Sequence, residues 1–201
     1  MAKLYFRYGA MNSGKSTALI QVAHNYEERG MSVVLIKPMI DTKGSDTVVS
    51  RIGVSRTVDL LVPTDMDIYE EIEKINSKTS ISCVLADEAQ FFTPKQAEEL
   101  FRVAVTLNIP VICYGLRSDF QMKGFPGSTR LLELAHSIEE LKTICFCGKK
   151  AMINARLVNG EYVFEGAQVA IDGEASVEYR SVCPECYFRL KAEHLKNKKA
   201  Q

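Results

Sequence analysis

Apolar and polar positions alternate along this chain in a way that sorts it into short strands and longer helices. Leu4–Tyr8 reads as a strand, and the small residues 9–14 as a loop. Residues 16–29 have helical spacing, with Ala18, Leu19, Val22, Ala23 and Tyr26 on or near one face and Gly30 at the end. Val33, Val34, Leu35 and Ile36 form an unbroken, largely β-branched run, which suits a parallel strand buried on both faces. The pattern weakens over 38–63, where a polar loop is followed by a strand at 57–62. A charged amphipathic helix at 67–78, a strand at 82–86, a helix at 94–108 with Pro94 in its first turn, and a strand at 111–114 follow. A short helix at 128–135 and a strand at 138–144 complete the series. Strand and helix in strict alternation predict a mostly parallel sheet with helices on both faces.

Beyond Ile144 the pattern changes. Gly148, Gly160, Gly166 and Gly173 punctuate short segments such as 155–158 and 161–164, which read as small antiparallel strands. The stretch 187–201 reads as a terminal helix running into a Lys-rich tail. The predicted organisation is an α/β domain over 1–143 and a smaller C-terminal lobe over 144–201.

Composition narrows the function classes. The 201 residues are 46% hydrophobic and 25% charged, which excludes disorder for the bulk of the chain. Lys plus Arg and Asp plus Glu number 25 each, so the formal net charge is zero. A protein devoted to gripping nucleic-acid backbone carries a basic excess, so no nucleic-acid partner is expected. No apolar run approaches the ~20 residues that span a bilayer. The N-terminus shows no signal-peptide core. The expectation is a cytoplasmic protein with no membrane partner.

Two motifs carry phosphate chemistry. Gly9-Ala10-Met11-Asn12-Ser13-Gly14-Lys15-Ser16, followed by Thr17, matches G-x-x-x-x-G-K-[ST] between a strand and a helix. Its N–H groups and the helix N-terminus suit nucleotide phosphates, Lys15 the β and γ phosphates, and Ser16 a magnesium ion. The expected fold is therefore of the P-loop NTPase type. Cys83-Val84-Leu85-Ala86-Asp87-Glu88 is an apolar strand ending in two carboxylates, the Walker B arrangement. Strand C-terminal ends meet at the ligand crevice of such a sheet. Asp87 is thus expected at the magnesium, and Glu88 as a base acting on a nucleophile. Together these predict an ATP-using enzyme without saying what receives the phosphate.

The six cysteines divide by position. Cys83 and Cys113 lie in apolar runs and read as core residues. Cys145-Phe146-Cys147-Gly148 and Cys183-Pro184-Glu185-Cys186 form two knuckles, whose four thiolates suit a tetrahedral structural zinc. Zinc lobes of this kind also occur in nucleic-acid-dependent ATPases, so this motif alone leaves both classes open.

In combination these features resemble the zinc-containing type II thymidine kinases, nearest the bacterial and phage forms, over nearly the whole chain. The resemblance rests on the phosphate loop, Asp87-Glu88-Ala89-Gln90-Phe91-Phe92, Tyr114-Gly115-Leu116-Arg117-Ser118-Asp119-Phe120, both knuckles and Tyr179-Arg180-Ser181-Val182-Cys183. It implies transfer of the ATP γ-phosphate to the thymidine 5′-hydroxyl in nucleotide salvage, with Glu88 as general base. It implies a nucleotide set of Gly9 to Thr17 with Asp87, Glu88, Ala89 and Gln90. The implied thymidine set is Met11, Asp41, Lys43, Phe91, Leu116, Phe120, Asn154, Tyr179 and a loop made of Val169, Ala170, Ile171, Asp172 and Gly173. ATP, Mg²⁺ and structural Zn²⁺ are the implied cofactors, with a homotetramer and feedback inhibition by thymidine triphosphate. Three features depart from the family: Lys43 stands where an arginine is usual, Asn154 where animal enzymes carry threonine, and the stretch 171–179 is about two residues longer than in close relatives. The rival readings are a zinc-ribbon, nucleic-acid-dependent ATPase, a kinase of another deoxynucleoside, and a catalytically dead nucleotide-binding regulator. Intact Lys15, Asp87 and Glu88 speak against the last.

Overall fold

The computed structural model describes residues 1–39, 46–50, 53–168 and 176–199. They form two compact units. One comprises Met1–Tyr8, Gly14–Arg117 and Phe125–Glu140, and the other Gly9–Ser13, Ser118–Gly124 and Leu141–Gln201.

The first, the sheet unit, contains β1 (Leu4–Tyr8), α1 (Lys15–Glu27), β2 (Val33–Pro38), β3 (Thr47–Val49), β4 (Ser55–Thr57), β5 (Leu60–Val62), α2 (Ile68–Lys78), β6 (Cys83–Ala86), α3 (Pro94–Thr106), β7 (Val111–Gly115), α4 (Pro126–Leu134) and β8 (Ser137–Glu140). Six strands make one sheet in the order β5-β2-β6-β7-β1-β8. Every neighbouring pair in it is parallel. Alternate side chains leave the sheet on opposite faces. Leu4, Phe6, Val34, Ile36, Val84, Ala86, Val111 and Cys113 pack with Ile68, Ile72, Leu100, Val103 and Leu131, so α2, α3 and α4 cover one face. Helix α1 covers the other, burying Leu19 and Ala23 against β2 and β7.

The helix starts are locally encoded. The Asp67 carboxylate accepts from the Glu70 N–H at 3.0 Å and caps α2. Thr93 and Gln96 form a reciprocal capping box at α3, with Pro94 at the first helical position. Such caps contribute about 1 kcal/mol each. Helix α1 has neither a capping side chain nor an acidic residue in its first turn.

Three elements differ from the sequence expectations. The stretch 38–63 holds a β3–β4 antiparallel hairpin as well as the sheet-edge strand β5. Each is three residues long, too short for an alternation to register. The single strand expected at 138–144 is two: β8 at the sheet edge, and β9 in the second unit. The terminal helix starts at Pro184, inside the second knuckle, rather than at Tyr187.

The second, cysteine unit contains β9 (Thr143–Ile144), β10 (Lys150–Ala151), β11 (Ile153–Val158), β12 (Glu161–Val163), β13 (Val177–Val182) and α5 (Pro184–Lys199). Strand β11 is the centre of an antiparallel sheet ordered β12-β11-β13, and β9 and β10 pair across the first knuckle. Its small core gathers Ile153, Ala155, Phe164, Val182 and Tyr187 around Cys145, Cys183 and Cys186. Among the described residues no helix is long and apolar enough to cross a membrane.

Candidate active site

The glycine-rich loop joins β1 to α1. Gly14 has φ 77° and ψ 19°, a left-handed conformation that glycine adopts without a side-chain clash. Lys15 and Ser16 then open the helix, with Thr17 behind them. Within the cysteine unit the first part of the loop is tied down through Met11. Its N–H donates to Asn154 Oδ1 at 2.7 Å, and its carbonyl accepts from the Ser181 hydroxyl. Met11 and Asn154, singled out separately in the sequence, are thus bonded neighbours.

At the C-terminal end of β6 the chain places Asp87 and Glu88. Asp87 is buried, and its N–H donates to Ile36 O at 3.0 Å. Burial, then the neighbouring charge of Glu88, push its carboxyl up to about 6 against the opposing Glu88 N–H, Lys37 and Lys15. Lys15, distant in sequence, is thus among the charges that act on Asp87. Lys37, on β2, was not singled out from the sequence. The only available signal was its position near the C-terminal end of a strand two places before the acidic one. A buried carboxyl this poorly solvated, beside a second acid, suits a bound cation.

Glu88 has φ 49° and ψ 36°, an uncommon conformation for a residue with a side chain. The turn that follows, Ala89–Phe91, buries Ala89 and Gln90 fully. Gln90 Nε2 lies 2.5 Å from Glu88 Oε2, and Gln90 Oε1 accepts from the Leu116 N–H at 2.9 Å. Of the expected apolar pocket residues in the sheet unit, Leu116 is buried just past β7, and Phe91 packs edge-on against Phe125 at 5.5 Å.

In the cysteine unit, Phe120 is buried beneath the Arg156 guanidinium, which lies 3.7 Å from the ring centroid. Arg156 Nε donates to the Tyr179 hydroxyl at 3.0 Å, and its two Nη groups donate to the Ala167 and Gln168 carbonyls at 2.8 Å each. Phe120 and Tyr179 are thus joined by a residue the sequence did not point to. An arginine inside a strand pattern reads as a solvated position, and only the fold buries it. Asp41, Lys43, Val169, Ala170, Ile171, Asp172 and Gly173 lie outside the described residues.

The sulfurs of Cys145, Cys147, Cys183 and Cys186 all lie within 4.8 Å of one another, and Cys147 and Cys183 are 3.6 Å apart. Zn–S bonds of ~2.3 Å put the corners of a tetrahedral site about 3.8 Å apart, so the set fits zinc. Burial raises the Cys145 thiol, but hydrogen bonds from the Cys147 and Cys183 backbone and neighbouring thiols outweigh it and bring it down to about 7. Burial, then hydrogen bonds to the other three, hold Cys186 up at about 12. Four thiols this close cannot all ionise without a cation among them. The turn at Gly148, whose N–H donates to Cys145 O at 2.8 Å, closes the first knuckle.

A family model described as thymidine kinase matches residues 2–187. The thymidine kinase of Enterobacteria phage T4 is 48% identical over 185 residues, covering 91% of this chain and 94% of the phage protein. That of Chromobacterium violaceum is 48% identical over 189 residues, covering 93% and 98%. The Mannheimia succiniciproducens protein is 46% identical over 199 residues, covering 98% and 100%. A match that runs through the phosphate loop, the acidic pair and both cysteine knuckles leaves one conclusion: the chain belongs to the thymidine kinase family.

Proposed function

We infer that this chain transfers the γ-phosphate of ATP to the 5′-hydroxyl of thymidine. The observation that carries this reading furthest is the turn after β6, where a buried Asp87 and a left-handed Glu88 stand side by side in a chain of this family. The phosphate loop from Gly9 to Thr17 holds the nucleotide, with Lys15 at the β and γ phosphates. Ser16 and Asp87 hold Mg²⁺, which supplies charge neutralisation on the phosphates when bound. Glu88 accepts the proton of the thymidine 5′-hydroxyl. That oxygen bonds to the γ-phosphorus as the bond from phosphorus to the β,γ-bridging oxygen breaks, releasing ADP.

Met11, Phe91, Leu116, Phe120, Asn154 and Tyr179 are the thymidine residues carried over from the family. On family resemblance Asp41, Lys43 and residues 169–173 join them. Zinc at the four cysteines is structural, since four thiolates leave no open position. A homotetramer, feedback inhibition by thymidine triphosphate and a cytoplasmic location complete the proposal, each carried over from the family. The test is transfer of labelled phosphate from ATP across the four deoxynucleosides, with single-stranded DNA as a further addition. Thymidine is expected to be the preferred acceptor. Preference for another nucleoside, or ATP turnover that needs DNA, would overturn the reading.

A further inference from the structure

We propose that Gln90 is a positioning residue for the Glu88 carboxylate, holding it in the orientation from which it takes the proton. This rests on the reading of Glu88 as the base. Gln90 is 1% exposed, so its amide is committed to protein partners. The two partners dictate which way the amide faces. The Leu116 N–H must meet an oxygen, at 2.9 Å, and the Glu88 carboxylate must meet the NH₂, at 2.5 Å. One amide therefore spans from the end of β7 to the reacting acid.

The anchoring end is itself constrained. A Cβ at Gly115 would lie 2.8 Å from Gln90 Oε1 and 3.1 Å from Gln90 N, so glycine there is what admits the amide. The Leu116 carbonyl accepts from the Ser128 hydroxyl on α4, so both polar groups of Leu116 are engaged. At the other end, Glu88 sits in a left-handed backbone conformation, and its Oε2 is the atom that Gln90 grips. A carboxylate on a flexible side chain samples several rotamers, and only some reach an acceptor oxygen. Tethering one oxygen leaves the other to work as the base. In this arrangement Gln90 acts on Glu88.

The experiment is a double-mutant cycle in kcat with saturating ATP and thymidine. Gln90→Leu removes both hydrogen bonds. It is expected to lower kcat about 10²-fold, the scale of a misplaced reacting group, with both KM values and ATP affinity within about threefold of wild type. Glu88→Gln is expected to lose ~10²–10⁴-fold on its own. In the Glu88→Gln background, adding Gln90→Leu should cost no more than about threefold, because there is no base left to orient. Gln90→Glu keeps the acceptor for Leu116 but puts a carboxylate against Glu88, and is expected to be as slow as Gln90→Leu. That second variant preserves shape, which covers the case of a poorly folded leucine variant. Equal losses in the two backgrounds, a wild-type rate for Gln90→Glu, or a defect confined to ATP affinity would each overturn the assignment. A wild-type protein that fails to phosphorylate thymidine sinks the functional reading instead, and an active Glu88→Gln sinks the base.

Discussion

The two units of this molecule are held together by different physics. In the sheet unit, strand and helix faces interdigitate into an apolar core from Leu4 through Leu131, and the polar groups with chemistry sit at strand ends. In the cysteine unit, three of the four clustered thiols are part of the core itself, and the antiparallel sheet is only three strands wide. Apolar area contributes roughly 25 cal/mol per Å². A unit with few large apolar side chains cannot supply what a parallel sheet layered with helices supplies. Zinc binding can serve as folding free energy in such a lobe, on the order of 10 kcal/mol or more in small zinc peptides. The difference teaches that the parallel sheet is stable by burial alone, whereas the unit carrying the Phe120–Arg156–Tyr179 cluster, and with it residues Gly9–Ser13, is built round a four-thiol set that fits a metal.

That contrast is sharpened most by removing the base. Glu88→Gln keeps the shape of the turn but cannot accept a proton. Transfer should fall ~10²–10⁴-fold, with ATP affinity and melting temperature nearly unchanged. Steady-state rates beside nucleotide titration decide it, and a rate within about threefold of wild type would contradict the assignment.

Removing a thiolate should separate the units next. Cys183→Ser is expected to abolish zinc retention and raise the thymidine KM about tenfold or more, with a smaller loss of ATP affinity because Met11 of the phosphate loop is bonded to Asn154 and Ser181 in the same unit. Metal analysis of freshly purified protein and the two KM values are the readouts. Equal loss of ATP and thymidine binding would erase the distinction between the units.

Within the cysteine unit, Arg156→Lys tests whether the planar fork matters. Lysine keeps the charge but cannot serve Tyr179 and two carbonyls together. Thymidine KM should rise about tenfold, with kcat at saturation and zinc content preserved. An unchanged KM would return Arg156 to a purely structural role.

The smallest effect concerns Asp87 without nucleotide. Its carboxyl is raised to about 6 by burial and by Glu88. A raised folded pKa means the folded state holds its proton where the unfolded chain has already lost it. Asp87 therefore costs stability progressively as pH rises from about 4, the unfolded value, and the cost is complete above about 6. Asp87→Asn removes that cost. The variant should melt a few degrees above wild type at pH 8, about 2–4 °C, and the gap should close below about pH 4. A thermal melt series across pH, without magnesium or nucleotide, measures it. A gap that widens as pH falls would mean the sign is wrong.

Much of the sheet unit was legible in the chain because its signals are local. The runs at Val33–Ile36 and Cys83–Ala86 exclude a solvent-facing strand whatever surrounds them. Pro94 marks the first turn of α3 from its own backbone constraint. The segments that misread are those whose partners are remote. Strands β3 and β4 are strands because each offers the other an edge, and the stretch after Ile138 divides because its halves pair with β1 and β10.

By itself, then, the sequence determined the alternating α/β order, the phosphate loop, the acidic pair and the metal-ligand spacing. Each is a periodicity or a fixed short spacing, and the backbone reproduces it wherever it folds. Only the tertiary structure decided that the Gln90 amide joins Glu88 to Leu116, that Lys37 acts on Asp87, and that Arg156 lies buried between Phe120 and Tyr179. A polar side chain in a sequence is compatible with solvent or with burial. Desolvation makes the buried choice costly unless partners arrive from elsewhere in the chain. Which partners arrive depends on strand order and crossover, and no local pattern encodes that.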